Sequence, residues 1–357
     1  MSTIFGAIGI NDNDRVFNAT AGQRAIYALA SQYVAAQNDV IAGMLSTFVD
    51  ETTDEYKRRY KLPGGGYLQK RGGQAQSGAV KAYGSWDVAF PLSEYGDQVA
   101  ASNVDLAYMT AVEFQRHLDT VTVRNLNTVR FEALYALWNN TARTFTDDLW
   151  GSLTVQPLAN GDSVTYPPVV GTVTEATDDH YRATNYTTIS DSNDPIADIV
   201  IPELEEHFGQ TTGNSPIVVF CNSAQVEALS ALAATVPVQD RYIAPGSNTD
   251  LVSMLPNVPG RVIGRHSRGA WIVQWDWTPS GYLFGLHMDA PKPLIQRVDP
   301  SDTGLPRGLT MVAENEEYPF RGMHWQHRFG FGVGNRLNGV AVQIVASSSY
   351  TIPTAYQ

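Results

Sequence analysis

The stretch M-H-W-Q-H-R-F-G-F-G-V-G, residues 323–334, decides how this chain is read. Alternate positions hold Met323, Trp325, His327, Phe329, Phe331 and Val333, and between them lie His324, Gln326, Arg328, Gly330, Gly332 and Gly334. A period of two sustained over this length predicts a strand with one buried face; a helix would scatter both sets. On a strand, His324 and His327 point to opposite faces and cannot ligate one ion. The zincin pattern H-E-x-x-H needs a helix and a different spacing. Nor is this a dinucleotide loop, because G-x-G-x-x-G would need glycine at 335 or 337, where Asn335 and Leu337 stand. Three glycines on one face predict that something packs closely on that backbone, such as a helix or another subunit. N-R-L-N-G (335–339) then reads as a turn and V-A-V-Q-I-V as the start of another strand, a partner for the first.

Other catalytic signatures are missing. There is no G-x-S-x-G elbow and no P-loop. Cys221, the single cysteine, ends the apolar run I-V-V-F-C and reads as a buried small hydrophobe. The acids of E-N-E-E-Y-P-F (314–320) read as a solvated or interface patch. No catalytic residue, cofactor-binding residue or metal ligand is expected.

The 357 residues suffice for two domains or one elaborated one, and 43% are hydrophobic. Only 17% are charged, and the net charge is −12. Such a chain is poorly suited to holding nucleic acid by its phosphates, which takes clustered Lys and Arg. One thiol makes no internal disulfide, so the fold relies on packing. The opening M-S-T-I-F-G-A-I-G-I-N-D-N-D-R has no basic start followed by a long apolar run, so no signal peptide is expected. No stretch approaches the length of a membrane span. Synthesis and folding in a reducing cytoplasm follow.

Residues 1–20 read as an extended arm and 21–48 as one helix. In 51–98, E-Y-K-R-R-Y-K-L, P-G-G-G-Y-L-Q-K-R-G-G-Q-A-Q-S-G and A-V-K-A-Y-G-S-W-D-V-A-F predict strand, glycine-rich tip and strand. Seven Lys or Arg against three acids between Glu51 and Gly84 make this segment +4. A projecting basic hairpin that lies on an acidic neighbour is the sharper reading; a flexible surface loop is the bland one. Asn103 to Asn140 predicts the longest helix, with Ser102 and Asp105 as a capping pair, an apolar stripe from Phe114 to Leu137, and a weak middle at T-V-T-V (120–123). T-A-R-T-F-T and G-S-L-T-V-Q-P-L predict strands, and 159–193 a polar linker. Asn193, Asp194 and Pro195 open a helix to Gly209 that Pro202 should kink. I-V-V-F-C (217–221) predicts a buried strand, followed by a helix capped by Asn222 with Gln225 completing the box. W-I-V-Q-W-D-W (271–277), T-P-S-G and Y-L-F-G-L-H-M predict a hairpin.

This order of segments resembles the major capsid protein of tailed bacteriophages, the Hong Kong 97-type capsid fold. The local matches are the long 103–140 helix after the hairpin, I-V-V-F-C-N-S-A-Q-V-E-A-L (217–229) and R-F-G-F-G-V-G-N-R-L-N-G-V-A-V-Q-I (328–344). The resemblance implies an α+β fold: N-terminal arm 1–50, extended β-hairpin loop 51–98, peripheral domain with spine helix and strands 99–189, axial domain 190–300, and closing peripheral strands 301–357. It implies a structural protein, not an enzyme, with no cofactor. Copies would assemble in the host cytoplasm as pentamers and hexamers of an icosahedral shell, the virion capsid. The shell encloses double-stranded DNA without sequence-specific binding and touches no membrane. Implied partners are scaffolding, portal and decoration proteins. Lys57, Arg58, Arg59, Lys61, Lys70 and Arg71 are the candidate inter-subunit contacts, with Glu314, Glu316 and Glu317 as the acidic patch on the adjacent copy. Some members join a loop lysine to a peripheral asparagine; Lys70 or Lys81 and Asn335 or Asn338 have the residue types, without a motif match. An encapsulin-like nanocompartment shell housing a cargo enzyme shares the fold and is the alternative reading. An enzyme of unknown type is the third.

Overall fold

The computed structural model describes residues 22–61, 65–68, 85–102, 111–208, 217–237, 258–315 and 320–357. Helix α1 spans Gly22–Leu45. Strands β1 to β4 span Val49–Thr53, Lys57–Lys61, Ser85–Ala89 and Ser93–Ser102. Helix α2 runs Ala111–Trp138, followed by β5 (Arg143–Asp147), β6 (Gly151–Val155) and β7 (Tyr181–Ala183). A π-helical turn, Ile196–Val200, leads into α3 (Ile201–Phe208); β8 is Ile217–Cys221 and α4 is Ser223–Ser230. Strands β9 to β12 are Thr235–Pro237, Arg261–His266, Trp271–Gln274 and Tyr282–His287. Strands β13 to β16 are Leu294–Arg297, Thr310–Asn315, Phe320–Val333 and Val340–Gln343. The chain forms two compact units: residues 1–45, 92–132 and 297–330, and residues 46–91, 133–296 and 331–357.

In the first unit β15 lies between β4 and β14, antiparallel to both, with Phe329 opposite Ser93 and Gln326 opposite Thr310. The expected alternation holds. Met323, Trp325, His327 and Phe329 are buried, while His324 is exposed. Met323 and Trp325 join Ala30 and Val34 of α1 and Phe114, Leu118 and Val121 of α2 in one apolar cluster. Burying such side chains contributes about 1.5–3 kcal/mol each relative to exposure. The 28 residues of α2 span about 42 Å. Its middle is not weakened at 120–123. Val121 and Thr122 are buried, and Thr120 Oγ1 donates to Arg116 O at 2.9 Å, so packing outweighs the β-branched propensity. Residues 103–110, including Asp105 of the expected capping pair, lie outside the described residues.

The second unit holds a seven-stranded sheet in the order β7-β16-β12-β8-β11-β10-β9. β8 is central, parallel to β11 and antiparallel to β12. Ile217, Val219 and Cys221 face the cluster formed by Ile196, Val200 and Leu204 and by Leu229 of α4. Phe220 faces the other way, 5.3 Å from Phe48 and 5.7 Å from Trp275 between ring centroids. Burial on both faces is why this strand is continuously apolar.

Several expectations are corrected in this unit. β11 and β12 are not a hairpin, because β8 pairs with each and separates them. The local turn is real, but an apolar strand from 50 residues earlier competes better for both edges. β16 joins this sheet through β12 and β7 and does not pair with β15. Residues 159–193 are no linker. Ala159, Tyr166, His180 and Tyr181 are buried, and β7 pairs parallel with β16. Arg336, fully buried, donates to Pro157 O and Leu158 O and meets Asp162 at 2.9 Å, which fastens this polar segment down. The kink at Pro202 takes the form of the π turn: Ile201 N–H donates to Ile196 O, and Pro202, which has no N–H, follows. Asn222 caps α4 by accepting from Ala224 N, but Gln225 Oε1 makes no hydrogen bond. The box is therefore only half built, while the neighbouring Ser223 N donates to Asp276 Oδ1.

Candidate assembly surface

β2 and β3 pair antiparallel with Lys57 opposite Ala89, Arg59 opposite Asp87 and Lys61 opposite Ser85. Alternation places Lys57, Arg59 and Lys61 on one exposed face and Arg58 with Tyr60 on the other. Tyr60 stacks on Trp86 at 5.4 Å, over Val88, Phe90 and Ile295. The foot of the hairpin is therefore apolar and held, and its cations sit on a fixed ribbon.

The glycine face of β15 receives this foot. A Cβ at Gly332 would lie 2.7 Å from Phe90 Cδ1 and 2.8 Å from Ala89 O, and one at Gly334 would lie 2.7 Å from Ile295 Cγ1. The close neighbour at Gly332 and Gly334 is thus not the expected helix or other subunit but the end of β3 and the start of β13 of the same chain.

The basic strip meets acids of its own chain. Lys57 Nζ is 2.7 Å from Asp87 Oδ2, and Arg59 grips the same carboxylate with Nε at 2.6 Å and Nη2 at 2.9 Å. Those bonds from Arg59, then Lys57, hold the Asp87 carboxyl well below the usual carboxylate range. Arg58 bonds Glu51, and Glu55 at 2.7 Å, which raises its already high pKa further, Glu51 contributing most. Beside the strip is a cleft of about 450 Å³ lined by Lys57, Arg59, Trp86, Asp87, Leu153 and Gln156. Glu314 is exposed on β14 in the first unit. Lys70, Arg71, Lys81, Glu316 and Glu317 lie outside the described residues. Asn338 is fully buried; its amide donates to His287 O and Pro291 O and its oxygen accepts from His287 N, so it ties the 287–291 turn.

Large apolar groups also stand in solvent. Leu149 is 85% and Trp150 54% exposed at the β5–β6 tip, with Trp150 stacked on Tyr56 at 4.3 Å. Asp147 Oδ1 accepts from Leu149 N and Trp150 N and fixes that tip. Tyr67 and Leu68, on the short described piece of the loop, are 84% and 96% exposed. Apolar groups displayed this way suit burial against another chain. The signal in sequence was D-D-L-W-G (147–151), a polar turn interrupted by two bulky residues.

The chemistry of single groups follows burial. Burial, with a lesser contribution from Asp276, pushes the Cys221 thiol up to about 12. Burial pushes His327 down to about 4, its Nδ1 lying 2.7 Å from Asn125 Oδ1. His324, exposed on the opposite face, shares nothing with it. Among the described residues no helix is long and apolar enough to cross a membrane.

No family model and no curated protein sequence matches the chain. Among solved structures, one of Mycobacterium phage Patience is similar over 97% of this chain and 95% of its own, with TM-score 0.70 and 20% identity. The capsid of a native GTA particle matches over 85% and 90%, with TM-score 0.49 and 13% identity. A virus-like particle from Pyrococcus furiosus matches over 89% and 99%, with TM-score 0.42 and 10% identity. The likeness to the phage Patience structure shows the α+β, Hong Kong 97-type fold expected from the order of segments.

Proposed function

We propose that this chain is the major capsid protein of a tailed phage, and that its work is mechanical. The observation that carries the reading is the end-to-end fold likeness to a phage structure, 97% of the chain at TM-score 0.70. Three features support it. α2, laid against the β4–β15–β14 sheet, supplies a stiff member. The anchored basic hairpin and the exposed Leu149–Trp150 tip supply surface for neighbours, and modest contacts repeat around a closed symmetric lattice. A net charge of −12 per copy lets packed DNA slide instead of sticking.

In this reading copies meet as pentamers and hexamers, with scaffolding, portal and decoration proteins as partners. Lys57, Arg58, Arg59, Lys61, Lys70 and Arg71 contact acids of an adjacent copy, Glu314, Glu316 and Glu317 among them. Negative-stain microscopy of the expressed chain, alone and with the products of neighbouring genes, tests it. Shells with fivefold and sixfold capsomers are expected. A small discrete oligomer under every condition overturns the proposal, and native shells that hold a cargo protein and no DNA place the chain in a cellular compartment instead.

A further inference from the structure

Three side chains meet beneath the seven-stranded sheet, apart from the assembly surface. His180 precedes β7 and is fully buried; His207 stands in the last turn of α3; Asp178 lies two residues before His180. His180 Nε2 and His207 Nε2 lie 2.8 and 2.6 Å from the same atom, Asp178 Oδ2. Glu206 Oε1 is 3.5 Å from His207 Nε2. Glu203, one turn earlier on α3, bonds Arg182 at 2.5 Å.

We propose that His180 Nε2, His207 Nε2 and Asp178 Oδ2 form a site for a divalent transition ion of the zinc class, and that Glu206 Oε1, 3.5 Å from His207 Nε2, swings in to complete it on binding. Two imidazoles and two carboxylates are the donor set that zinc accepts. The orientation of the ring is set for it. His180 Nδ1 lies 2.9 Å from Gly339 O, a carbonyl that can only accept, so Nδ1 carries a hydrogen and Nε2 faces inward. Metal-bound histidines are oriented by such backbone contacts. The 3.5 Å between Glu206 and His207 is close to the edge of a tetrahedron with bonds of about 2.0–2.1 Å. The two shorter contacts to Asp178 are hydrogen bonds that hold the donors together; an ion displaces their protons and opens them by roughly half an ångström.

Charge favours the ion too. Asp178, Glu203 and Glu206 face one guanidinium, Arg182, in this nest. Asp179 beside them adds a fourth carboxylate, and His180, hydrogen-bonded to acceptors through both ring nitrogens, adds a second positive charge, so negative charge still exceeds positive and favours a cation. The ligands come from the segment before β7 and from α3, while Gly339 leads into β16, so a bound ion would cross-link three parts of the second unit. The inference is independent of shell assembly, since it concerns one chain.

Cobalt(II) is the probe. The full chain, stripped with EDTA and dialysed, is titrated with CoCl₂ and then with ZnCl₂. Tetrahedral visible bands that saturate at one ion per chain are expected, bleached by zinc, with a zinc-dependent rise in melting temperature that EDTA reverses. His207→Gln should weaken cobalt binding at least about 100-fold, beyond the 10–100-fold that loss of an outer partner costs. Glu206→Gln, at the more open edge, should weaken it less and keep the fold by circular dichroism. His324→Gln should leave binding unchanged. A folded wild-type chain with no cobalt bands overturns the proposal, as does undiminished binding in folded Glu206→Gln and His207→Gln.

Discussion

Asp87 stands opposite Arg59 in the β2–β3 ladder and takes both arms of its guanidinium, at 2.6 and 2.9 Å. The cation expected to reach for a neighbour is therefore already engaged at home, and Lys57 shares the same carboxylate. Any acid arriving from another copy joins this cluster or displaces Asp87.

That relationship separates contacts within a chain from contacts between chains. Lys57→Glu, Arg59→Glu and Lys61→Glu together should leave monomers folded, because exposed ion pairs contribute little. Particle yield should collapse. Asp87→Asn frees the cations and should leave assembly intact. Normal particle yield from the triple variant would refute the inter-subunit role, measured by sedimentation and microscopy.

Two alanines should act with opposite signs. Gly332→Ala drives a Cβ against the Ala89 carbonyl and the Phe90 ring, and should destabilise by about 1–3 kcal/mol. Gly43→Ala, in α1 with nothing within 4 Å of the new methyl, should stabilise by up to about 1 kcal/mol. Urea midpoints of the two variants test the pair; equal shifts would contradict the close packing of β15.

Acid should loosen the first unit through His327. Burial lowers its folded pKa to about 4, against 6.5 unfolded. Between those values the unfolded chain binds the proton and the folded one does not, so stability falls as pH drops from 6.5 towards 4 and is flat above. The full effect is about 3 kcal/mol. His327→Gln, neutral throughout, should lack this pH dependence, so its stability difference from wild type should change by about 3 kcal/mol between pH 6.5 and 4. Parallel urea-midpoint curves would exclude burial of a neutral ring.

Arg336→Met should cost about 3 kcal/mol or more, with Asp162 and the carbonyls of Pro157 and Leu158 losing their donor. Calorimetry should show a lowered melting transition. A variant as stable as wild type would mean that the 157–162 segment is held by other contacts.

Much of the fold was legible because single elements announce themselves. Met323 to Val333 alternates so strictly that only a strand fits, and the buried I-V-V-F-C of β8 bears the composition of a central strand. Strand order was not legible. Turn residues at Thr278 to Gly281 describe a reversal, and nothing local says that Val218 will lie between Trp271 and Leu286, or Phe220 between Val273 and Phe284. The 159–193 segment misled because the partners of its polar groups are distant in sequence, Arg336 for Asn160 and Asp162 and Gly339 for His180. On the assembly surface, β2 was readable from its charges, but Asp87 as their partner needed the register. The metal-type cluster carried a faint local mark, E-x-x-E-H at 203–207, whose meaning depends on Asp178 and His180 arriving from another segment.

Placement of β16 between β7 and β12 bears on how the molecule is made. Until residue 343 has left the ribosome, both flanking strands expose unpaired edges, and the sheet of the second unit is incomplete. A polypeptide that ends before β16 lacks the strand that joins β7 to β12, and such truncated translation products should stay out of any larger object the completed molecules build.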